Sequence, residues 1–99
     1  MKIPKKVKIL DNYFKIKLKN RIIEEAAEAY GSTSYFDKHE ISLQKDQPNI
    51  KNTLLHEIIH AIEKTQGLKL EEKQVFFLAN YLRTVMLDNP ELIEIFKGG

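Results

Sequence analysis

The sequence predicts a small α+β domain in which β-strands come first and helices follow. In residues 13–19, apolar side chains at every second position alternate with lysines, which is typical of a strand with one buried face. After about residue 46, apolar residues recur at the 3.6-residue spacing of amphipathic helices. We therefore expect a small antiparallel sheet made of two N-terminal hairpins, followed by one long helix that carries polar chemistry and then one long and one short C-terminal helix.

Length and composition favour one domain. The 99 residues fit one compact unit with a thin core. We assign residues 1–97 to this single minimal domain and leave Gly98 and Gly99 as a tail. No repeat, linker or low-complexity segment divides the chain. A bound metal that links two elements would add stability to a domain of this size.

The absence of cysteine excludes a disulfide framework and any thiolate metal site. Any metal must then be held by histidine and carboxylate side chains. No apolar run approaches the length of a membrane span, and the basic start MKIPKKVKIL lacks the continuous apolar core of a signal peptide. We therefore expect a cytoplasmic protein with no membrane partner.

Basic residues are concentrated near the N-terminus, although the net charge is only +2. Residues 1–21 contain eight basic residues and one acidic residue, and lysine outnumbers arginine by fourteen to two in the whole chain. The row Lys15, Lys17 and Lys19 has only Tyr13 as an aromatic neighbour. Nucleic-acid sites usually combine arginine with stacking aromatics. We therefore interpret the lysine row as a solvated sheet face and do not expect a nucleic-acid partner.

Turn-forming residues divide the first half of the chain into hairpins. Asp11-Asn12 is expected to form the turn of the first hairpin, and the polar segment 37–39 that of the second, which Gly31 opens. Residues 20–29 have helix-forming composition without clear start or stop signals, which predicts a short helix or an irregular crossing. The predicted strands comprise residues 5–10, 13–19, 32–36 and 40–44.

Capping signals delimit three helices in the second half. Asp46 and Pro48 indicate the start of the first helix, and Gly67 indicates its end after Gln66. The second helix spans roughly 70–88, and Asn89-Pro90 separates it from a short helix over 91–96. The apolar stripe of the second helix, expected to face the core, comprises Val75, Leu78, Ala79, Leu82, Val85 and Met86.

The first helix carries the motif His56-Glu57-Ile58-Ile59-His60. Residues four apart lie on nearly the same face of a helix, so both imidazoles can point at one metal ion. Glu57 lies about 100° round the helix from His56, where a carboxylate can reach a water on the metal rather than the metal itself. Zinc accepts imidazole nitrogen readily, and a catalytic zinc site needs three protein ligands and one open position. The motif therefore predicts His56 and His60 as zinc ligands and Glu57 as general base.

The apolar residues of this helix support the same orientation. With the two histidines on one edge, the apolar side chains fall on the opposite arc, by the 100° step of an α-helix. They are Leu54, Leu55, Ile58, Ile59, Ala61 and Ile62. The amphipathic pattern and the chemistry thus agree about which edge faces a cleft.

The third zinc ligand must come from elsewhere in the chain. The candidates are Glu63, Glu71, Glu72, Glu91, Glu94 and His39. No histidine follows at the spacing of the longer HExxHxxGxxH motif. Glu63 is a poor candidate, since a residue three after His60 rarely bends back to the same metal. A glutamate at the start of the next helix suits the geometry better, and periodicity leaves both Glu72 and Glu71 open.

The stretch TLLHEIIHAIEKTQGLKLEEKQVFFLANYLRTVMLDNPEL resembles the small HExxH proteins of bacteriophages and prophages. These are zincin-like and distantly similar to the ImmA/IrrE-type metallopeptidases. The resemblance covers residues 30–92 and, more loosely, the N-terminal hairpin. In that group an acidic residue lies three positions before the Val of a V-x-x-L-A-N segment, and here that residue is Glu72. The resemblance implies a zincin-like fold with His56, His60 and Glu72 as zinc ligands and Glu57 as general base.

Peptide hydrolysis also needs a donor to the oxyanion and a surface that binds the substrate. A developing oxyanion needs a donor besides the metal, and the candidates are Tyr30, Tyr35, Tyr81 and His39. Of these, Tyr81 is more often a packing residue, and His39 is expected to face solvent in its turn. The strand over residues 40–44 directly precedes the motif helix, so we expect it to be the edge strand on which an extended substrate adds by β-augmentation.

These features together predict a zinc-dependent metallopeptidase, a hydrolase of the HExxH or Glu-zincin type. Its substrate would be a protein or peptide, such as a regulatory or host protein, in the cytoplasm of a bacterium or a phage-infected host cell. The alternative is a non-catalytic, metal-stabilised phage protein that binds a protein or nucleic-acid partner.

Overall fold

The computed structural model describes residues 3–24 and 27–98, and within them the chain is α+β. A mixed sheet forms from the first half, and three helices follow it, as expected from the order of the two periodicities. The strands are β1 (Lys6–Ile9), β2 (Asn12–Lys19), β3 (Ile22–Glu24), β4 (Ala27–Ala29), β5 (Gly31–Ser34) and β6 (Glu40–Gln44). The helices are α1 (Ile50–Gln66), α2 (Glu72–Asp88) and α3 (Pro90–Lys97).

The main sheet has the strand order β1-β2-β6-β5, which corrects the expectation of a wholly antiparallel sheet. Both predicted hairpins form, since β1 pairs with β2 and β5 with β6 in antiparallel fashion. The first turn consists of Leu10 and Asp11 rather than the predicted Asp11-Asn12, because Asn12 already pairs with Ile9. The hairpins join through β2 and β6, which are parallel, with Ile16 opposite Ile41 and Leu18 opposite Leu43. The alternation of apolar and polar residues determines which face of a strand is buried. It does not determine which strand lies beside it or whether that neighbour runs parallel or antiparallel.

Residues 20–29 do not form the predicted short helix or irregular crossing. Their described part forms β3 and β4, a separate antiparallel pair. Ile22 is buried, and two consecutive β-branched residues favour a strand over the helix that the glutamates and alanines suggest. The prediction for residues 25 and 26 lies outside the described residues.

The principal core lies between the sheet and α1. Phe14 and Ile16 from β2 pack with Ile41 and Leu43 from β6 and with Ala61 from α1. The alternation in β2 predicts its buried face correctly up to Ile16. Leu18, however, is 51% exposed, although Leu43, its partner on β6, is fully buried.

Helix α1 begins at Ile50, after the predicted signals at Asp46 and Pro48, with Asn49 as its N-terminal flanking residue. Its end is as expected. Gly67 has φ of 66°, a left-handed conformation that glycine adopts without strain, and Leu68 N donates to the carbonyl of Glu63 at 2.9 Å. The helix is therefore stopped sharply, and the chain turns back towards α2.

A second and smaller core joins α1 to α2. It consists of Ile59 from α1 with Val75 and Ala79 from α2. The rest of the predicted α2 stripe is not buried, which corrects that expectation, and α3 has no buried residue. The exposed fractions are 43% for Leu78, 46% for Leu82, 45% for Val85 and 38% for Met86. The physical reason is orientation for Leu78 and Val85, which lie further round α2 than the buried Val75 and Ala79, and distance for Met86, which lies about two turns beyond Ala79.

Within the described ranges, none of the helices combines the length and the apolar character needed to cross a lipid bilayer.

Glu40 contributes a component of stability that depends on pH. Its largely buried carboxylate lies 2.9 Å from Lys38 Nζ. The hydrogen bond from Lys38 holds the pKa of Glu40 below its ordinary value of 4.5. A lowered folded-state pKa means that the contribution is complete above the ordinary pKa and is lost as the pH falls through the folded value.

Replacing Glu40 with glutamine is expected to weaken the acid sensitivity of the fold. The free energy of unfolding, measured by urea titration at neutral pH and again well below the ordinary glutamate pKa, should fall less in Glu40→Gln than in the wild type. Lys38→Met serves as the matched control, because it keeps the carboxylate and removes its partner, and it should reduce the same difference. An unchanged acid sensitivity in both variants would contradict this role.

Candidate metal centre

The two motif histidines lie on one edge of α1, and their Nε2 atoms converge. The Nε2 atoms of His56 and His60 are 3.2 Å apart. Glu72, in the first turn of α2, reaches both of them, with Oε1 at 2.5 Å from His56 Nε2 and Oε2 at 3.1 Å from His60 Nε2. One candidate ligand atom from each of the three residues thus falls within 4.8 Å of the others. The structure therefore brings together the three residues named as ligands.

The start of α2 explains why Glu72 rather than its neighbour faces the histidines. Glu71 is the N-cap of α2 and forms a capping box with Gln74, whose side-chain oxygen accepts from Glu71 N at 2.9 Å. Capping directs the Glu71 side chain towards the backbone amides of α2. Glu72, one step further round the helix, projects towards α1.

Glu63 lies beside the histidines but on the far side of His60. Its Oε1 is 2.6 Å from His60 Nδ1, and its Oε2 accepts from Leu70 N at 2.7 Å. A carboxylate can only accept, so Nδ1 must carry a proton, and in the neutral imidazole the lone pair is then on Nε2. Glu63 therefore orients His60 with its free nitrogen towards His56 and Glu72.

The donor set fits a zinc ion. Zinc bonds to imidazole nitrogen and carboxylate oxygen at about 2.0–2.2 Å, so ligand atoms at the corners of a tetrahedron lie about 3.3–3.6 Å apart. The two Nε2 atoms, 3.2 Å apart, are close to that separation. Glu72 contacts His56 through Oε1 and His60 through Oε2, so its carboxylate must shift to bring one oxygen into the same group. Its side chain is 69% exposed and has room for that adjustment.

Glu57 projects from α1 towards β5 and is 6% exposed. Thr33 in β5 donates its hydroxyl to Glu57 Oε1 at 2.7 Å. A methyl group at Gly31 would lie 2.9 Å from Glu57 Cγ and 2.8 Å from Thr53 Cγ2, so only glycine allows α1 to approach the strand this closely. The Glu57 carboxylate thus lies against the hydroxyl of Thr33 and the backbone of Gly31.

These groups border one open cleft of about 870 Å³. Its lining includes the three candidate ligands and Glu57 on one side and the edge of β5 on another. Further along α1 the wall carries neutral amides, among them Asn52, whose Nδ2 donates to Asn80 Oδ1 at 2.5 Å. The candidate metal centre is therefore accessible to a ligand of some length.

The edge strand beside the cleft is β5, not the predicted strand over residues 40–44. That strand, β6, lies inside the sheet between β2 and β5. Gln44 N of β6 donates to the carbonyl of Tyr30 at 2.9 Å, so Tyr30 is a hydrogen-bonded position of this antiparallel pair. Hydrogen-bonded positions alternate along a strand, so the N–H and C=O groups of Gly31 and Thr33 point away from β6. The outward carbonyl of Thr33 accepts from Lys64 Nζ at 3.2 Å.

The candidates for an oxyanion donor are dispersed. Tyr30 borders the cleft. Tyr81 is 65% exposed and stacks on Phe77 outside the cleft lining. His39 is not the solvent-facing turn residue that was expected, because its ring stacks against the rings of both Phe14 and Tyr35. Among these four candidates, Tyr30 is the one in the lining of the cleft.

Sequence reasoning missed three residues of this site. Glu63 could have been found from its position three after His60, where a helical side chain can return to the neighbouring imidazole. Gly31 gave a signal only as the opening of a strand, and nothing marked Thr33. The roles of Gly31 and Thr33 depend on the distance between β5 and α1, which the residue pattern within a single strand or helix does not determine.

The chain was compared with protein-family models, with curated proteins and with solved structures, and no match was found.

Replacing Glu63 with glutamine is expected to weaken zinc binding by about 10- to 100-fold. His60 Nδ1 and Leu70 N contact different oxygens of Glu63, and glutamine replaces one of these oxygens with an NH2 group that cannot accept a hydrogen bond. Zinc affinity would be measured by competition with a chromophoric chelator. Glu71→Gln is the matched control, since that residue only caps α2, and equal affinities for the two variants would refute the orienting role.

Replacing Gly31 with alanine is expected to destabilise the fold by about 1–3 kcal/mol, because the new methyl group overlaps Thr53 and Glu57. The change in free energy of unfolding would be measured by denaturant titration. In Gly98→Ala the methyl group meets only ordinary contacts at 3.4 and 3.6 Å, which makes it the control. A Gly31→Ala protein as stable as that control would show that β5 and α1 can separate freely.

Proposed function

We propose that this chain is a zinc-dependent metallopeptidase of the HExxH type, which hydrolyses peptide bonds in a protein or peptide substrate. The observation that carries the proposal is the convergence of His56 Nε2, His60 Nε2 and the Glu72 carboxylate in the wall of an open cleft. The buried Glu57 lies in the same cleft. This is the arrangement that hydrolysis by an activated water requires.

The ligand set favours a catalytic zinc over a purely structural one. Structural zinc sites are usually closed by four protein ligands, whereas catalytic sites keep one position open. Three candidate ligands converge here, and the cleft leaves a side of the group accessible. A bound zinc would supply a Lewis acid that polarises the scissile carbonyl and lowers the pKa of the attacking water.

Glu57 is suited to move the proton of that water. Thr33 donates a hydrogen bond of 2.7 Å to one carboxylate oxygen of Glu57, which helps to orient the group. As general base, Glu57 takes up a proton from water on its carboxylate and then passes it to the departing amine. The chain's own contribution is therefore orientation of a carboxylate that gains and loses one proton in each turnover.

The edge of β5 is suited to hold an extended substrate. Gly31 and Thr33 present their backbone N–H and C=O groups away from β6, and both residues border the cleft. A peptide strand that paired there would lie along the site by β-augmentation. Lys64 now contacts the Thr33 carbonyl, so a pairing strand would take over that acceptor.

The alternative function is a metal-stabilised module without catalysis. Its support is the small α1–α2 core, in which α2 buries only Val75 and Ala79 among its described residues. A metal held by His56, His60 and Glu72 would link the two helices and add to that contact. In this case the cleft would bind a partner rather than cleave it.

Replacing Glu57 with glutamine separates these functions. Glu57→Gln is expected to retain one zinc per chain, because Glu57 is not a ligand, and to lower the rate of peptide hydrolysis by at least about 100-fold, because the general base is lost. Zinc content would be measured by elemental analysis, and hydrolysis by mass spectrometry of unfolded protein substrates.

The matched variant Glu72→Ala should instead lose zinc together with activity. A wild type that binds no zinc would refute the metal centre. A wild type that binds zinc but cleaves none of the unfolded proteins would refute the peptidase and favour the metal-stabilised module.

A further inference from the structure

The outer face of α2 consists of Phe77, Leu78, Tyr81, Leu82 and Val85. We propose that two copies of this chain associate through this face, together with the exposed apolar residues of α3. The proposal goes beyond the peptidase function and does not depend on it.

The amino-acid pattern of the outer face is that of a buried surface, yet the face is exposed. Its five residues are 43–65% exposed. By the 100° step of an α-helix they cover roughly 140° of the circumference, centred nearly opposite Glu72. A contiguous apolar surface of this kind on a soluble chain marks an interaction site.

Helix α3 adds to the argument, because it has no buried residue of its own. Its apolar residues Ile93, Ile95 and Phe96 are 39%, 65% and 78% exposed. An eight-residue helix is not stable in water without packing on an apolar partner. Helix α3 packs on α2, and the apolar side chains that this contact leaves exposed are available to a second copy of the chain.

The area suits a stable dimer. By the 100° step of an α-helix, Ile93 and Phe96 share a face of α3 and Ile95 does not. From the exposed fractions, the outer face of α2 with Ile93 and Phe96 offers on the order of 700 Å² per chain, near the roughly 800 Å² that each partner buries in a specific interface of standard size. Phe77 and Tyr81 are already stacked, with ring centroids 5.9 Å apart, so this part of the surface is ordered before a partner arrives.

Charge also favours a second copy. The charged residues from 75 to 97 are Arg83, Asp88, Glu91, Glu94 and Lys97, which give a net charge of −1. Two such segments repel each other little. A face that binds an anionic membrane would instead be flanked by lysine and arginine. Because Glu72 and Asn80 lie on the opposite side of α2, a dimer of this kind leaves the cleft open.

The association is tested by sedimentation equilibrium of the purified full chain at micromolar concentrations. The wild type is expected to have twice the monomer mass. Leu82→Glu should weaken the dimer by at least about 100-fold, because two-fold symmetry places the charge in the interface twice. Leu18→Glu is the control, since Leu18 is 51% exposed on β2 and should leave the mass unchanged.

Cysteine cross-linking gives a second readout that does not rely on a disruptive variant. The chain has no cysteine, so single Leu78→Cys, Leu82→Cys and Val85→Cys variants report directly on proximity across a two-fold axis. At least one should form an intermolecular disulfide rapidly, and Leu18→Cys should not. A monomeric wild type would overturn the proposal, whether or not it binds vesicles of anionic lipid. A dimer that the Leu82→Glu substitution leaves intact would also overturn it.

Discussion

The candidate centre depends first on a single carboxylate that is not itself a ligand. Glu63 holds His60 Nδ1 with one oxygen and Leu70 N with the other. The first contact sets the direction of the imidazole, and the second anchors the chain two residues before Glu72. One side chain thus fixes both a candidate ligand on α1 and the point at which α2 begins, so the site and the helix–helix turn share one constraint.

The same region contains the smaller of the two cores, so a bound metal would add to its stability. The sheet and α1 share a core around the fully buried Phe14, Ile41 and Leu43, whereas α1 and α2 are joined chiefly through Ile59, Val75 and Ala79. An ion bound by residues of both helices stabilises the folded state by mass action. Metal affinity and the docking of α2 are therefore expected to change together.

Local periodicity predicted what lies within one element and failed for what lies between elements. The α1 histidines and the hairpins follow from spacings of four and two residues. Glu72 could not be separated from Glu71 by periodicity, because the choice depends on which of them caps α2. The order of the strands was also beyond reach, since Ile41 and Leu43 alternate in the same way in an edge strand and in a central one.

The parallel pairing of β2 with β6 has a consequence for how so small a chain could select a substrate. With β6 inside the sheet, β5 becomes the edge, and its outward backbone groups at Gly31 and Thr33 lie over the carboxylate of Glu57. The same glycine that permits this close approach leaves no side chain to form a pocket. A substrate strand would then bind along β5 through backbone hydrogen bonds, which tolerate many sequences. Selection among substrates would have to come from the amide-lined wall further along α1 or from a partner that presents the substrate.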